Sequence, residues 1–120
     1  MRDTKTTNPE IIELIQYLKK QSREQAAGIW LDVAAGLAKP SRQRIAVNLS
    51  RINRYTEKSD VIVVPGKVLA SGTLDHAVTV AAFDASDKAK AKLQAAKAKY
   101  LSIAELVKQN PHGSKVKIIG

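Results

Sequence analysis

The chain contains no cysteine, which removes disulfides, thiolate metal ligands and cysteine nucleophiles together and leaves stability to packing or to a partner. Aromatic residues are nearly as scarce, with one Trp, one Phe and three Tyr in 120 residues. Following a single nucleic-acid strand by successive base stacking needs rings spaced along a surface, and this composition argues against it. No stretch approaches the roughly 20 apolar residues of a membrane-spanning helix. The opening MRDTKTTNPE lacks the apolar core of a secretory signal, so a cytoplasmic location is expected and a membrane partner is not. Negative charge is also short: 11 Asp and Glu face 20 Lys and Arg, for a formal charge of +9. That excess attracts polyanions at long range and makes nucleic acid the default partner.

The length suits one domain with one modest core. Asn8-Pro9-Glu10 reads as a helix start, with Asn8 as N-cap and Pro9 in the first turn. Ile11, Leu14, Ile15 and Leu18 follow at helical spacing. Ser22 and Gln25 suggest a capping box that opens a second helix, with Ala26, Ile29, Trp30, Val33 and Leu37 as its apolar stripe and Pro40 at its end. So short a connection predicts a helical hairpin over residues 1–38. The polar, basic stretch 39–44 then reads as an extended arm on the same single domain, 1–120.

Ile45-Ala46-Val47 is expected to be a short strand and Asn48 to cap a helix with Leu49, Ile52 and Tyr55 inward and Arg51 and Arg54 outward. The β-branched run Val61 to Val64 reads as a buried strand. Pro65-Gly66 reads as a tight turn, with Gly66 at positive φ, separating it from a further strand, Lys67 to Ala70. Another strand is expected over Ala77 to Phe83. Ser86 should cap a helix placing Ala89, Leu93, Ala96 and Tyr100 on one side and Lys88, Lys92 and Lys99 on another. Ser102 with Glu105 suggests a capping box for a last helix that stops at Asn110-Pro111, before a closing strand from Lys115 to Ile119. No internal repeat or low-complexity linker divides the chain. The fold class is therefore α/β: a helical hairpin followed by irregular strand and helix turns in one compact domain.

The cations are unevenly placed. Four of the six arginines lie between Arg42 and Arg54, and from Lys39 to Lys58 six cations face one acid, Glu57. Arginine presents a planar fork that holds phosphate bidentately, whereas lysine acts as a mobile point charge. From Ser86 onward eight lysines stand against Asp87 and Glu105, a pattern suited to general backbone affinity and equally to a solvated helix face. The candidate RNA-binding set is Lys39, Arg42, Arg44, Arg51, Arg54, Lys58, Lys67, Lys88 and Lys92.

Chemistry of other kinds finds little footing. Asp75-His76 is the one acid–histidine neighbourhood, without a nucleophile motif beside it; a turn aspartate and a strand-start residue account for the pair. His76 and the turn residue His112, without cysteines, make a poor zinc site. Pro65-Gly66-Lys67 lacks the spacing of a phosphate-binding loop. Trp30, in an apolar stripe, reads as core. Neither a catalytic residue, a metal, a cofactor nor a small-molecule substrate is expected.

The segments NPEIIELIQYLKKQS, IWLDVAAGLAKPSRQRIAVNLSRINRYT, DVIVVPGKVLASGTLDHAVTVAAF and IAELVKQNPHGSKVKII closely resemble the archaeal and eukaryotic large-subunit ribosomal protein 18e family. That family is related to bacterial large-subunit ribosomal protein 15. The likeness covers nearly the whole chain, and VNLSRINRYT followed by VVPGKVLASG is its most specific block. The length is similar to archaeal members, since eukaryotic ones usually carry extensions. The resemblance implies a cytoplasmic, non-enzymatic constituent of the large ribosomal subunit, bound to ribosomal RNA beside neighbouring ribosomal proteins. It also implies that the family's basic arm and following helix correspond to Lys39, Arg42, Arg44, Arg51 and Arg54. One departure stands out: Ala96-Lys97-Ala98-Lys99 occupies a place where members often have a glycine pair, so the preceding helix is expected to run longer here.

Overall fold

A computed structural model describes residues 9–39 and 45–119. Arg42, Arg44, Pro40 and the rest of the expected arm beyond Lys39 lie outside the described residues, as does the expected cap Asn8. Helix α1 spans Pro9–Gln25 and α2 spans Gly28–Leu37, packed on each other as a hairpin. The capping box expected at Ser22 and Gln25 is not formed, because both residues lie in the last turn of α1. Instead Ala26 takes a left-handed φ of 51°, and the Ala27 N–H closes onto the Ser22 carbonyl at 3.1 Å. This is a helix C-terminal closure that usually employs glycine.

Strand β1 (Ile45–Asn48) leads into α3 (Leu49–Tyr55), then β2 (Val61–Leu69), β3 (Thr79–Ala85), α4 (Asp87–Ala95), β4 (Lys99–Ser102), α5 (Ile103–Gln109) and β5 (Val116–Ile118). All strand pairs are parallel, in the order β1-β2-β3-β4 with β5 also on β2. Because β3 occupies one edge of β2, β5 and β1 share the other: β5 pairs Val61 to Val63 and β1 pairs Gly66 to Leu69.

Both faces of the sheet are covered, which is why β2 reads as an unbroken β-branched run. Ile62, Val64, Val80 and Ala82 join Leu49 and Ile52 of α3 and Ala89 and Leu93 of α4 in one core. The alternating residues Val63 and Ala81 join Ile11, Leu18, Trp30, Val33 and Leu37 of the hairpin and Ile103 and Leu106 of α5 in the other. The α/β expectation with a leading hairpin holds, and its turns resolve into a three-layer arrangement.

Three further sequence expectations are corrected. Pro65-Gly66 is not a turn between strands. β2 runs straight through it as a bulge, two residues facing the single Phe83 between Val64↔Ala82 and Lys67↔Asp84. Gly66 serves close approach rather than positive φ, since a Cβ there would sit 2.0 Å from the Ile45 carbonyl oxygen of β1. Tyr55 does not face inward; it is 53% exposed, because α3 ends at it. Finally, α4 does not extend to Tyr100, which lies in β4. It stops at Ala95 in a full Schellman closure, with Lys97 at φ 62° and Lys97 N–H to Gln94 O and Ala98 N–H to Leu93 O at 3.0 and 2.9 Å. Lysine thus occupies a left-handed position that glycine fills more cheaply.

The Ser86 cap and the Ser102–Glu105 capping box form as expected, with Ser86 Oγ accepting from Ala89 N–H at 3.1 Å and the reciprocal Ser102–Glu105 bonds at 3.0 and 3.1 Å.

Candidate nucleic-acid interface

The candidate cations are grouped first around α3. Burial of Leu49 and Ile52 turns Arg51 and Arg54, three residues apart, to the solvent side. The Arg51 guanidinium lies over the Tyr55 ring, 5.2 Å from its centroid, a cation–π arrangement that restrains both groups. Beyond the helix, Lys58 is exposed. The loop that follows brings Asp60 to Lys117 of β5, Nζ to Oδ2 2.9 Å, while the Glu57 N–H donates to the same carboxyl at 2.8 Å. The Glu57 amide and the Lys117 ammonium hold the Asp60 carboxyl below its ordinary value of 3.8.

Lys67 is exposed on β2, and Val68 beside it accepts from the N–H of Ser86, the cap of α4, at 3.0 Å. Lys88 lies in the first turn of that helix, also exposed. Lys92 is exposed but engaged: its ammonium donates to the Ala70 and Gly72 carbonyls, both at 2.9 Å. The same loop accepts the Ser50 N–H of α3 at Ser71 O, 3.1 Å, so Lys92 clamps the loop against the start of α3. Lys39 is exposed at the end of the hairpin. Among the described residues, Arg54, Lys58, Lys67 and Lys88 enter no ion pair; the described pairs are Lys20–Glu24, His76–Asp75 and Lys117–Asp60. A separate cavity of about 440 Å³ between α1 and α5, lined by Glu10, Glu13, Leu14, Tyr17, Phe83 and Lys108 among others, includes none of these cations.

No protein-family model matches the chain. Individual proteins do. It is 50% identical to large ribosomal subunit protein eL18 of Methanococcus maripaludis over 119 residues, 99% of each chain. It is 47% identical to eL18 of Methanoregula boonei over 98% of each, and 44% identical to eL18 of Methanothermobacter thermautotrophicus over 99% of this chain and 98% of that one. The chain belongs to the eL18 family.

Within this eL18-family fold, Asp75 and His76 form a row with Thr56: Asp75 Oδ1 to His76 Nδ1 2.8 Å, and His76 Nε2 to Thr56 Oγ1 2.7 Å. The row imitates a nucleophile–base–acid array, but the Thr56 hydroxyl is buried and donates its proton to the Ile52 carbonyl at 2.7 Å. It therefore caps the last turn of α3 and is not activated by the imidazole. The backbone N–H of Asp75 also donates to Asn53 Oδ1 at 3.1 Å, tying the row to α3. The row fastens the β2–β3 loop to the arginine-bearing helix, and the His76 hydrogen bond holds the Asp75 carboxyl below 3.8. Among the described residues no group of three or more His, Asp or Glu is placed to hold a metal, and no helix is long and apolar enough to cross a membrane. Two residues beside the α3 arginines were not among the residues singled out from the sequence as candidates, Tyr55 and Lys117. Arg51-x-x-x-Tyr55 at helical spacing was the available signal for the first; Lys117 becomes visible only when β5 docks beside α3.

Proposed function

We propose that this protein is a structural constituent of the cytoplasmic large ribosomal subunit that catalyses nothing and binds folded ribosomal RNA. Arg51, Arg54, Lys58 and Lys67 meet phosphates, Lys88 and Lys92 extend the field along α4, and Lys39, Arg42 and Arg44 form an arm that threads along the RNA. The observation that carries this reading is the set Arg54, Lys58, Lys67 and Lys88, exposed and without ion-pair partners among the described residues. Cations that no ion pair among the described residues neutralises repel one another, and a polyanion relieves that repulsion. RNA helices bury their major-groove base edges, so phosphates, 2′-hydroxyls and junction shape supply most of the recognition. Neighbouring ribosomal proteins are the further partners.

The test is subunit reconstitution with the variant Arg42→Ala/Arg44→Ala/Arg51→Ala/Arg54→Ala. Poor incorporation into the large subunit with an unchanged helical signal is expected. Full incorporation, or loss of helical signal, contradicts the assignment of these residues. Duplex DNA serves as the competitor: equal affinity for it and for large-subunit ribosomal RNA at moderate salt contradicts a preference for folded RNA.

A further inference from the structure

We propose that a pocket between α3 and β5 receives one unstacked nucleobase of the bound RNA, with Tyr55 as its stacking platform; this rests on the RNA-binding reading above. Arg51 and Tyr55 of α3, Lys117 and Ile118 of β5, and Ile119 line a cavity of about 320 Å³. That is at the small end of the roughly 300–1,000 Å³ typical of small-molecule sites, the scale of a single planar ring system rather than a strand.

The lining combines apolar and cationic side chains. Tyr55 is 53% and Ile118 39% exposed, two of four large apolar side chains so exposed among the described residues, and both open onto this one cavity. An apolar platform flanked by cations matches a base attached to its phosphate: the ring and Ile118 take the flat faces of the base, and Arg51 and Lys117 attract the phosphate. Tyr55 and Lys117 are each held in place. Arg51 lies 5.2 Å from the Tyr55 centroid, and Asp60 anchors Lys117 at 2.9 Å, leaving further ammonium N–H donors for an anion. Recognition of this kind, with an extruded base stacked on an aromatic or guanidinium plane, is how proteins read irregular RNA elements. The scarcity of aromatic residues rules out a path of stacked bases, but a single exposed ring beside paired cations suffices for one nucleotide.

The experiment compares the full chain with Tyr55→Phe, Tyr55→Leu and Tyr55→Ala in binding to full-length, deproteinised large-subunit ribosomal RNA of Methanococcus maripaludis. Affinity is read across a salt series, and ultraviolet cross-linking is read by peptide mass. Tyr55→Phe is expected to stay within about twofold of the parent, while Leu and Ala each weaken binding about 10-fold or more with the same salt slope. The peptide containing Tyr55 is expected to carry a nucleotide adduct in the parent. If Tyr55→Ala binds as the parent does, the pocket proposal fails while salt-dependent RNA binding stands. If Leu retains full affinity, the pocket takes apolar contact rather than a stacked base, and the proposal fails again. If the parent itself does not bind the RNA, both this inference and the functional reading beneath it are overturned.

Discussion

The indole Nε1 of Trp30 donates to the carbonyl oxygen of Pro111 at 2.7 Å, joining α2 to the turn after α5 across 81 positions of sequence. Trp30 is fully buried in the hairpin-side core. The bond ties the N-terminal hairpin to the segment that leads into β5 in the folded state, in a chain that has no cysteine to make a covalent link. Trp30→Phe leaves the Pro111 carbonyl without this donor and opens space beside it, and is expected to lower the unfolding free energy by about 2–3 kcal/mol. Denaturant titration followed by circular dichroism reads this directly; an unchanged midpoint contradicts the tie.

Two non-glycine residues sit at helix closures that favour glycine, Ala26 at φ 51° and Lys97 at φ 62°. Ala26→Gly and Lys97→Gly are each expected to stabilise the fold by up to about 1 kcal/mol, the relief of left-handed strain outweighing the greater freedom of glycine in the unfolded chain. Thermal melts should move upward in both variants. A downward shift for Lys97→Gly means that α4 does not close in the Schellman form.

Gly66→Ala has the opposite sign. Its new Cβ would stand 2.0 Å from the Ile45 carbonyl oxygen, a backbone atom of the adjoining strand that no rotamer change can move, so β1 must separate from β2. A loss of more than about 2 kcal/mol is expected. A variant with parental stability would show that β1 does not lie against the bulge.

Acid should loosen the protein through identifiable carboxylates. Hydrogen bonds from the Glu57 amide and Lys117 lower Asp60, that of His76 lowers Asp75, and the capping box lowers Glu105, from ordinary values of 3.8, 3.8 and 4.5. Depressed folded-state values mean that each contribution is fully present above the ordinary value and is lost as the pH falls through the lowered one. Stability set by these groups is therefore expected to be level from neutrality to about pH 5 and to decline below about pH 4.5. Glu105→Gln, measured by denaturant titration at each pH, should show a shallower acid decline than the parent; an equal decline removes the capping box from the account.

The sequence revealed the hairpin, the buried strand from Val61 and the Ser86 and Ser102 caps because each rests on local chemistry: periodicity, β-branching or a side-chain oxygen three residues before an amide. It misled where a tertiary contact overrode a local habit. Pro65-Gly66 has turn composition, yet the approach of Ile45 and the pairing of Lys67 with Asp84 keep it in a strand. Ala96-Lys97 has helical composition, yet β4 must begin at Lys99 to pair with Thr79. Of the candidate interface, the outward arginines of α3 were legible from spacing against Leu49 and Ile52. The engagement of Lys92 by two carbonyls and the approach of Lys117 to Arg51 and Tyr55 depend on elements far apart in sequence and left no local mark.

The salt dependence of binding to deproteinised large-subunit ribosomal RNA tests the central claim, an exposed cationic surface meeting phosphates, most directly. If about six phosphates are neutralised, the log of affinity against the log of salt should fall with a slope of about −4 to −5. Arg54→Ala/Lys58→Ala/Lys67→Ala should flatten that slope by about 2 while leaving the far-ultraviolet spectrum unchanged. A parent slope near zero, or a triple variant with the parental slope, would contradict the account.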